Sequence, residues 1–376
     1  MQNSLESSKQ NNEKWVDGLK GILAIVIAFF WHYKDFPISG NLPFQNIFLT
    51  LFKYGGLVVE VFFSLSGFGM IMGYESKIYN GEISFGSYIK RRISKIYPLF
   101  LETLLITLIL NVIFAFTDYF TYPFFDAYHF FLNVILLQSG AFEATQSYNG
   151  PSWFISIVIC MYVLLFLIIR LTRDKIRNSS YIYVYIFIAI SGGMLYMTGW
   201  NLPFFNSYIA RGLLSFFIGC AIAKFNIISK SFNSRLKNFI GYTALVSLVS
   251  VWVLSRIFGY ETVLGNILMY VPIVFTPLLM LSIICLDWLK RILSIKPLLY
   301  LGRVSMSLYL IHHPLMNLIM YLNTKFALNI NYSFELIWLG YMIIMIKLSE
   351  LNQIIVTKVD RSFKKWITND KHSKTV

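Results

Sequence analysis

Two ionisable residues interrupt long apolar stretches of the sequence, and their types suit acid–base chemistry. His32 lies near the end of the first apolar stretch, and Glu60 lies near the start of the second. Ionisable groups inside membrane-length apolar segments are costly and mark functional candidates. A carboxylate beside an imidazole would orient the ring and stabilise its protonated form. A general base needs this arrangement to remove a hydroxyl proton.

The positions of these two residues along their helices predict that they lie at one depth. At about 1.5 Å per residue, His32 lies about 21 Å along a helix that starts near Gly18, roughly 9 Å from the far boundary. Glu60 follows Gly56 and lies about 6 Å below that same boundary. Alternatively, His32 belongs to an aromatic interfacial belt and Glu60 faces an outer water pocket. The residues leave both interpretations open.

A basic cluster precedes the third apolar stretch. Arg92 and Lys95 lie three residues apart, so on a helix their side chains share one face and suit a phosphate group. The alternative is that the cluster only sets membrane orientation, because the positive-inside rule places such charge before a span.

Three further polar residues in apolar stretches are candidates for substrate contact, each with a structural alternative. Arg211 is either a substrate contact or a charge that reaches the membrane interface. His312 precedes His313 and Pro314, so a kinked helix with a polar packing contact explains it first. Tyr309 has a nucleophile-type hydroxyl, although polar residues in spans more often serve helix packing. No metal site is expected, because adjacent histidines point in different directions on a helix.

Composition defines the environment in which these residues are positioned. Of 376 residues, 57% are hydrophobic, 18% are aromatic and 13% are charged. So little polar surface cannot coat a soluble globule of this size. We therefore predict an all-α, polytopic transmembrane helical bundle in the cell membrane. Its cysteines, Cys160, Cys220 and Cys285, lie in apolar segments without metal-like spacing, so neither a disulfide nor a bound cofactor is expected.

Ten apolar runs approach the roughly 20 residues that a helix needs to cross about 30 Å of hydrocarbon. They are 19–33, 56–72, 96–116, 153–171, 181–197, 208–223, 239–257, 263–286, 298–322 and 334–356. An eleventh run, 127–137, is short for a span and is predicted to be re-entrant or interfacial.

The distribution of positive charge predicts the orientation of these spans. With a cytoplasmic N terminus, all but five of the 32 Lys and Arg residues fall in cytoplasmic segments. The exceptions are Lys34, Lys53, Arg211, Arg256 and Lys325. Counting the short run as a span breaks this alternation. We predict both termini in the cytoplasm, a disordered tail at 1–13, a membrane domain at 14–350 and a disordered tail at 357–376. The net charge of +14 therefore reflects topology rather than nucleic-acid binding.

Six short stretches resemble, in order, the integral membrane acyltransferases often called acyltransferase family three. They are WVDGLKG at 15–21 leading to His32, VEVFFSLSGF at 59–68, YIKRRISKIYP at 88–98, GPSWFIS at 150–156, FIGC at 217–220 and LGRVSMSLYLIH at 301–312. Each stretch alone is weak evidence, but chance agreement of six stretches in the family's order is improbable.

The resemblance implies transfer of an acyl group, commonly acetyl from acetyl-CoA, to a hydroxyl of a surface glycan or a lipid-linked sugar. It implies that His32 and Glu60 are the catalytic pair and that Arg92 and Lys95 match paired donor-binding arginines. The lysine keeps the charge but loses bidentate geometry. Many members carry Arg where this chain has Lys20, so that role is not carried over. Acyl-CoA is then a co-substrate, and the expected partners are membrane lipids and an extracytoplasmic carbohydrate or lipid-linked acceptor.

The alternative class is a transporter or export component for a glycan or lipid, in which buried ionisable groups line a pathway. No internal repeat is visible in the sequence, which weakens an inverted-repeat transporter. The six ordered stretches favour the enzyme.

Overall fold

The computed structural model describes residues 14–117, 124–143, 145–259, 262–263 and 267–373, with side chains as far as Asp360. The described chain is helical apart from turns, loops and one short hairpin. The predicted tail at 1–13 lies outside the described residues, as do residues 374–376.

The helices follow one another along the chain with short connections. They are α1 (Lys14–Val26), α2 (Gln45–Tyr54), α3 (Val58–Tyr79), α4 (Phe85–Phe116), α5 (Ala127–Val134), α6 (Trp153–Thr172), α7 (Tyr181–Thr198), α8 (Ser207–Ser229), α9 (Ser234–Phe258), α10 (Ile267–Tyr270), α11 (Thr276–Cys285), α12 (Asp287–Leu293), α13 (Lys296–Lys325) and α14 (Glu335–Ser373). Strands β1 (Asn201–Leu202) and β2 (Phe205–Asn206) form an antiparallel hairpin between α7 and α8.

Nine helical stretches in the described part of the chain are long and apolar enough to cross a membrane. The predicted run 298–322 lies in α13, which has 30 residues and is therefore long enough to cross about 30 Å. Polar residues that include Ser307, His312 and Asn317 make α13 less apolar than the other nine. The multi-helix membrane bundle is confirmed, whereas the count of ten spans stays a prediction.

The relative directions of the helices agree with a non-spanning α5. Glu60 pairs with Arg211 and Glu75 pairs with Lys224, so α3 and α8 run in the same direction. The three helices α4, α6 and α7 lie between them in the chain, and a further crossing by α5 would reverse α8. With eight residues, α5 is only about 12 Å long.

The loop before α5 holds a small polar cluster. The side chain of Asp126 accepts a hydrogen bond from the backbone N–H of His129 at 2.9 Å, and this bond lowers the pKa of Asp126. The His129 ring bridges two carboxylates, with Nδ1 2.6 Å from Asp126 and Nε2 2.8 Å from Glu143. These contacts fix the start of α5 against the loop that follows it.

Glycines let the central helices pack backbone to backbone. A Cβ atom at Gly67 of α3 would overlap the carbonyl oxygen of Phe216 in α8, and one at Gly219 would overlap that of Ser64. A Cβ atom at Gly302 of α13 would likewise overlap the backbone of Asp17 in α1. Small residues permit such close approach in membrane bundles, where packing drives helix association. The pairs α3–α8 and α1–α13 therefore form the centre of the bundle.

A second polar cluster ties α3 to α8, and its ion pair, Glu75–Lys224, is buried. Glu75 accepts hydrogen bonds from Lys224 Nζ and from the Tyr185 hydroxyl, both at 2.7 Å. Lys224 also donates to Asn178 Oδ1 at 2.6 Å. A buried charge is tolerated only when it is paired and hydrogen-bonded. The ion pair and the hydrogen bonds of this cluster therefore offset the cost of burying its two charges.

The C-terminal segment differs from the prediction. Residues 357–376 were expected to be a disordered tail, but α14 continues to Ser373. The helix begins in an apolar segment, and strong helix formers such as Lys and Arg extend it past the apolar part.

Candidate functional site

A local change in helix geometry places His32. Residues Ile27–Trp31 form a π-helical turn at the end of α1, and the backbone N–H of His32 donates to the carbonyl of Ile27 at 3.0 Å. A 3₁₀ turn, Tyr33–Asp35, follows directly. Such π-turns hold an extra residue in the helix and are frequent at functional sites.

The carboxylate that holds His32 is Asp35. The Nδ1 atom of His32 lies 3.0 Å from Oδ2 of Asp35. A carboxylate is an acceptor only, so Nδ1 carries a hydrogen, and in the neutral ring Nε2 then has the lone pair. A carboxylate bonded to one ring nitrogen holds the imidazole in a fixed orientation, which is one requirement of a general base.

The predicted pairing of His32 with Glu60 is therefore wrong. Glu60 is 1% exposed, and its two carboxylate oxygens accept from Nε of Arg211 and from Oγ of Ser215, each at 2.5 Å. Depth along a helix does not fix the direction of a side chain around the axis, and Glu60 faces α8. The catalytic role of Glu60 stays a prediction, without contact to His32 among the described residues.

Arg211 pairs with Glu60 and packs on Trp153, while its role as a substrate contact stays a prediction. Its guanidinium carbon lies 4.6 Å from the ring centroid of Trp153, and its Nε atom pairs with Glu60. The arginine neutralises a buried carboxylate and stacks on an aromatic ring, and the ion pair joins α3 to α8.

Two further histidines from α13 surround His32. The ring centroid of His312 lies 5.0 Å from that of His32, and the ring of His313 lies 5.5 Å from it. His312 is fully buried, and its Nδ1 donates to the carbonyl of Leu308 at 3.0 Å. Its Nε2 atom has no hydrogen-bond partner among the described residues. A buried polar atom without a partner is uncommon and points to a ligand or a water that completes it.

Tyr309 lies one helical turn before His312 and faces a cavity. Its hydroxyl donates to the carbonyl of Pro151 at 2.6 Å, and its ring centroid is 6.2 Å from that of His312. The hydroxyl therefore forms a structural hydrogen bond, and the ring both lines the cavity and packs near His312.

This cavity, which we call the central cavity, has a volume of about 310 Å³. Basic residues line one end, and the other end reaches Tyr309. The lining residues are Asp17, Lys20, Phe62, Leu65, Ser66, Gly69, Met70, Arg92, Phe154, Tyr162, Gly302, Ser305, Met306 and Tyr309. Lys20 pairs with Asp17 at 3.5 Å, and both side chains are more than one third exposed. The central cavity therefore opens where Lys20 lies, at the end of the bundle opposite His32.

Arg92 is held firmly at the central cavity, whereas Lys95 is not brought to it. The Arg92 guanidinium stacks on the ring of Tyr74 at 4.3 Å and donates to its hydroxyl. Lys95 is exposed and does not line this cavity. The basic partner of Arg92 at the central cavity is Lys20, although the two lie 72 positions apart in the chain. Spacing along one helix could not reveal this, because the two residues belong to different helices.

Three residues of this arrangement were not assigned a role from the sequence, and each has a local signal there. Asp35 follows His32 by three positions, which is one helical turn and suffices for a contact. Asp17 and Lys20 are charged residues at the start of an otherwise apolar helix. The closeness of His312 to His32 had no local signal, because 280 positions separate them.

The apolar helices define a membrane protein whose bundle holds the His32–Asp35 pair and, lined by Tyr309, a basic-mouthed cavity. A model of the family described as "Acyltransferase domain" matches residues 13–349. The chain belongs to this family of membrane acyltransferases, so the resemblance in the sequence is confirmed.

One curated relative shares a shorter region. Over 89 residues the chain is 32% identical to "Protein 2 in picA locus" of Rhizobium radiobacter, a match that covers 24% of this chain and 40% of that protein. The chain thus matches less than half of the length of that relative. No solved structure matches the chain.

Proposed function

We propose that this protein transfers an acyl group from cytoplasmic acyl-CoA, acetyl-CoA in the first instance, to a hydroxyl of an extracytoplasmic glycan or glycolipid. One observation carries the proposal. A basic-mouthed cavity is followed, in line, by Tyr309, His312 and the His32–Asp35 pair. In this orientation Lys20 and Arg92 face the cytoplasm, as the positive-inside rule favours.

The two ends of this row suit the two ends of a CoA thioester. Lys20 and Arg92 provide cationic donors for its phosphates. Lys20 and His32 lie on one helix, twelve residues apart, which corresponds to about 18 Å. An extended pantetheine arm spans a distance of this order, so phosphates at the basic mouth allow the thioester to reach the histidines.

Proton transfer at His32 follows from the Asp35 contact. Nε2 of His32 removes the proton of the acceptor hydroxyl, and the oxygen attacks the thioester carbonyl. The carbon–sulfur bond then breaks, the ester forms, and the departing thiolate takes the proton from His32. Asp35 stabilises the imidazolium during these steps, as a carboxylate does in a catalytic triad.

The unpartnered Nε2 atom of His312 supports the same path. It is an acceptor, because Nδ1 of that ring already donates to Leu308. It therefore suits an amide N–H of the pantetheine arm as the arm passes Tyr309 toward His32. The ring positions the donor and does not need to carry a proton.

Replacing His32 tests the proposal. Purified protein in lipid discs is given labelled acetyl-CoA and a glycan acceptor, and product is identified by mass spectrometry. We expect His32→Ala to lower transfer by about 100- to 10,000-fold, which is the contribution of a general base. His372→Ala, near the C-terminal end of α14, serves as the matched control and should transfer normally.

Two results would contradict the proposal. Substantial transfer by a correctly inserted His32→Ala protein would exclude His32 as the base. Movement of the acceptor across the bilayer without acylation would favour the transporter. A mass shift by one acyl group on surface glycans of cells that carry the protein would identify donor and acceptor together.

A further inference from the structure

A second, larger cavity of about 580 Å³ lies between α2, the start of α3, α9 and the α10 region. We call it the lateral cavity. Its lining is mostly apolar and aromatic and includes Ile47, Gly55, Val251, Trp252, Ser255 and Arg256. Its volume falls within the roughly 300–1,000 Å³ range of small-molecule pockets.

The lateral cavity opens on the side of the helix bundle. Among its lining residues, Ile47 is 72% exposed and Trp252 is 56% exposed. Further large hydrophobic residues are exposed on the same two helices, among them Leu49 and Val253, as a lipid-facing surface requires. A ligand would therefore enter from the bilayer and not from water.

Polar groups lie at one end of this apolar space. Along α9 the lining runs from Leu248 to Arg256, which is about 12 Å, and Arg256 lies near the end of the helix. Ser255 is 1% exposed, and its hydroxyl has no partner among the described residues. An unpartnered buried hydroxyl is costly unless a ligand or a water completes it.

The charge at this end is unusual for the molecule. In the topology predicted from the sequence, Arg256 is one of five basic residues that lie outside the cytoplasmic segments. Positive charge is not needed there to orient the spans. A guanidinium beside a buried hydroxyl suits a phosphate, whereas the apolar lining below it suits a hydrocarbon chain.

A thin wall separates the lateral cavity from the candidate catalytic site. Gly55 lines the lateral cavity, and a Cβ atom at Gly55 would lie 3.4 Å from Cβ of Trp31. Trp31 directly precedes His32. A sugar joined to a lipid in this cavity would therefore lie at the same end of the bundle as His32.

We infer that the lateral cavity binds the hydrocarbon tail of a phosphate-bearing, lipid-linked acceptor, with the phosphate at Arg256 and Ser255. The inference rests on the proposed function and narrows its acceptor from glycans in general to lipid-linked sugars. The tail enters from the bilayer between α2 and α9, and the sugar reaches His32 past Trp31.

Photocrosslinking tests binding without depending on catalysis. The probe is a polyprenyl phosphate that carries a diazirine in its chain, added to the full-length protein in lipid discs. We expect labelled peptides from α2 and α9, in the wild type and in His32→Ala alike. Val251→Trp fills the cavity and should lower this labelling at least roughly tenfold.

Val249→Trp is the matched control for that substitution. Val249 lies on the same helix, is 52% exposed and does not line the lateral cavity. Labelling of the Val249→Trp variant should stay at the wild-type level. Equal labelling of Val251→Trp and Val249→Trp, or labels confined to other helices, would overturn the inference.

The phosphate site is tested with a second variant and a second probe. Arg256→Gln should weaken labelling by the polyprenyl phosphate and leave labelling by the uncharged polyprenol analogue unchanged. Equal effects on the two probes would show that Arg256 does not bind phosphate.

Transfer assays then separate this inference from the proposed function. Val251→Trp should raise KM for a lipid-linked acceptor without changing transfer to the same sugar freed of its lipid. Unchanged use of the lipid-linked acceptor by Val251→Trp, with His32-dependent transfer intact, would overturn the inference alone. Absence of transfer by the wild type to either acceptor would instead overturn the proposed function.

Discussion

The cluster around Glu75 and the cluster around His32 are both polar groups inside an apolar bundle, but they use their hydrogen-bonding capacity differently. Both carboxylate oxygens of Glu75 are bonded, one to Tyr185 and one to Lys224. In the His32 cluster, by contrast, Nε2 of His312 lacks a partner among the described residues. A closed network stabilises the fold, whereas an open one leaves atoms for a ligand.

The largest effect should come from breaking the closed cluster. Lys224→Ala leaves the Glu75 carboxylate buried without its cation, which typically costs about 3–5 kcal/mol. We expect a large fall in the thermal unfolding temperature of the detergent-purified protein.

Two variants control this experiment. Lys230→Ala removes an exposed lysine that directly follows the last residue of α8. This substitution should change stability little. The double variant Glu75→Gln with Lys224→Met removes both charges and should be more stable than Lys224→Ala. If Lys224→Ala unfolds at the same temperature as Lys230→Ala, the closed cluster is not a stabilising element.

A smaller effect should come from the carboxylate of the open cluster. Asp35→Asn removes a charge-assisted hydrogen bond to His32, worth about 1.5–3 kcal/mol, or roughly a tenfold to hundredfold loss of kcat. Asp35 is half exposed, so unfolding should occur at the wild-type temperature.

Asp174→Asn is the matched control for Asp35→Asn, because its side chain is 87% exposed and distant in sequence from the cluster. Glu60→Gln sharpens the comparison, since Glu60 is bonded to Arg211 and not to His32. It should lower stability more than Asp35→Asn does. A kcat for Asp35→Asn equal to that of Asp174→Asn would remove Asp35 from the mechanism.

The smallest expected effect is on KM for acyl-CoA, and it should distinguish Arg92 from Lys95 of α4. Arg92→Ala removes a cation from the central cavity and should raise KM for acyl-CoA roughly tenfold. Lys95→Ala removes an exposed charge and should change KM less than about twofold. Steady-state kinetics with acetyl-CoA measures both, and a greater effect at Lys95 would move the phosphate site to the outer face of α4.

Local patterns predicted the helices well, because membrane-length apolar runs are specified by residues next to one another. The runs that contain His32 and Glu60 are helical as expected. The predicted direction of the Glu60 side chain around its helix was wrong, because that direction depends on the neighbouring helix. Glu60 faces α8 because Arg211 and Ser215 lie there, and neither lies near Glu60 in the chain.

The site was predictable to the extent that its parts are local. His32 was found as an ionisable residue in an apolar run, and Asp35 could have been found three positions later. Tyr309 and His312 join Lys20 and His32 only because α13 packs against α1. Close glycine packing at Gly302 sets that register, and no single segment encodes it.

The ion pair between Glu60 and Arg211 also has a consequence for synthesis of the chain. The two residues are 151 positions apart. At roughly 5–20 residues per second, the ribosome needs about 8–30 s to make the segment between them. During that interval α3 has been made, but Glu60 cannot pair with Arg211, which has not yet been synthesised. The nascent protein must keep this part of α3 beside water or other polar groups until α8 emerges, so α3 docks late.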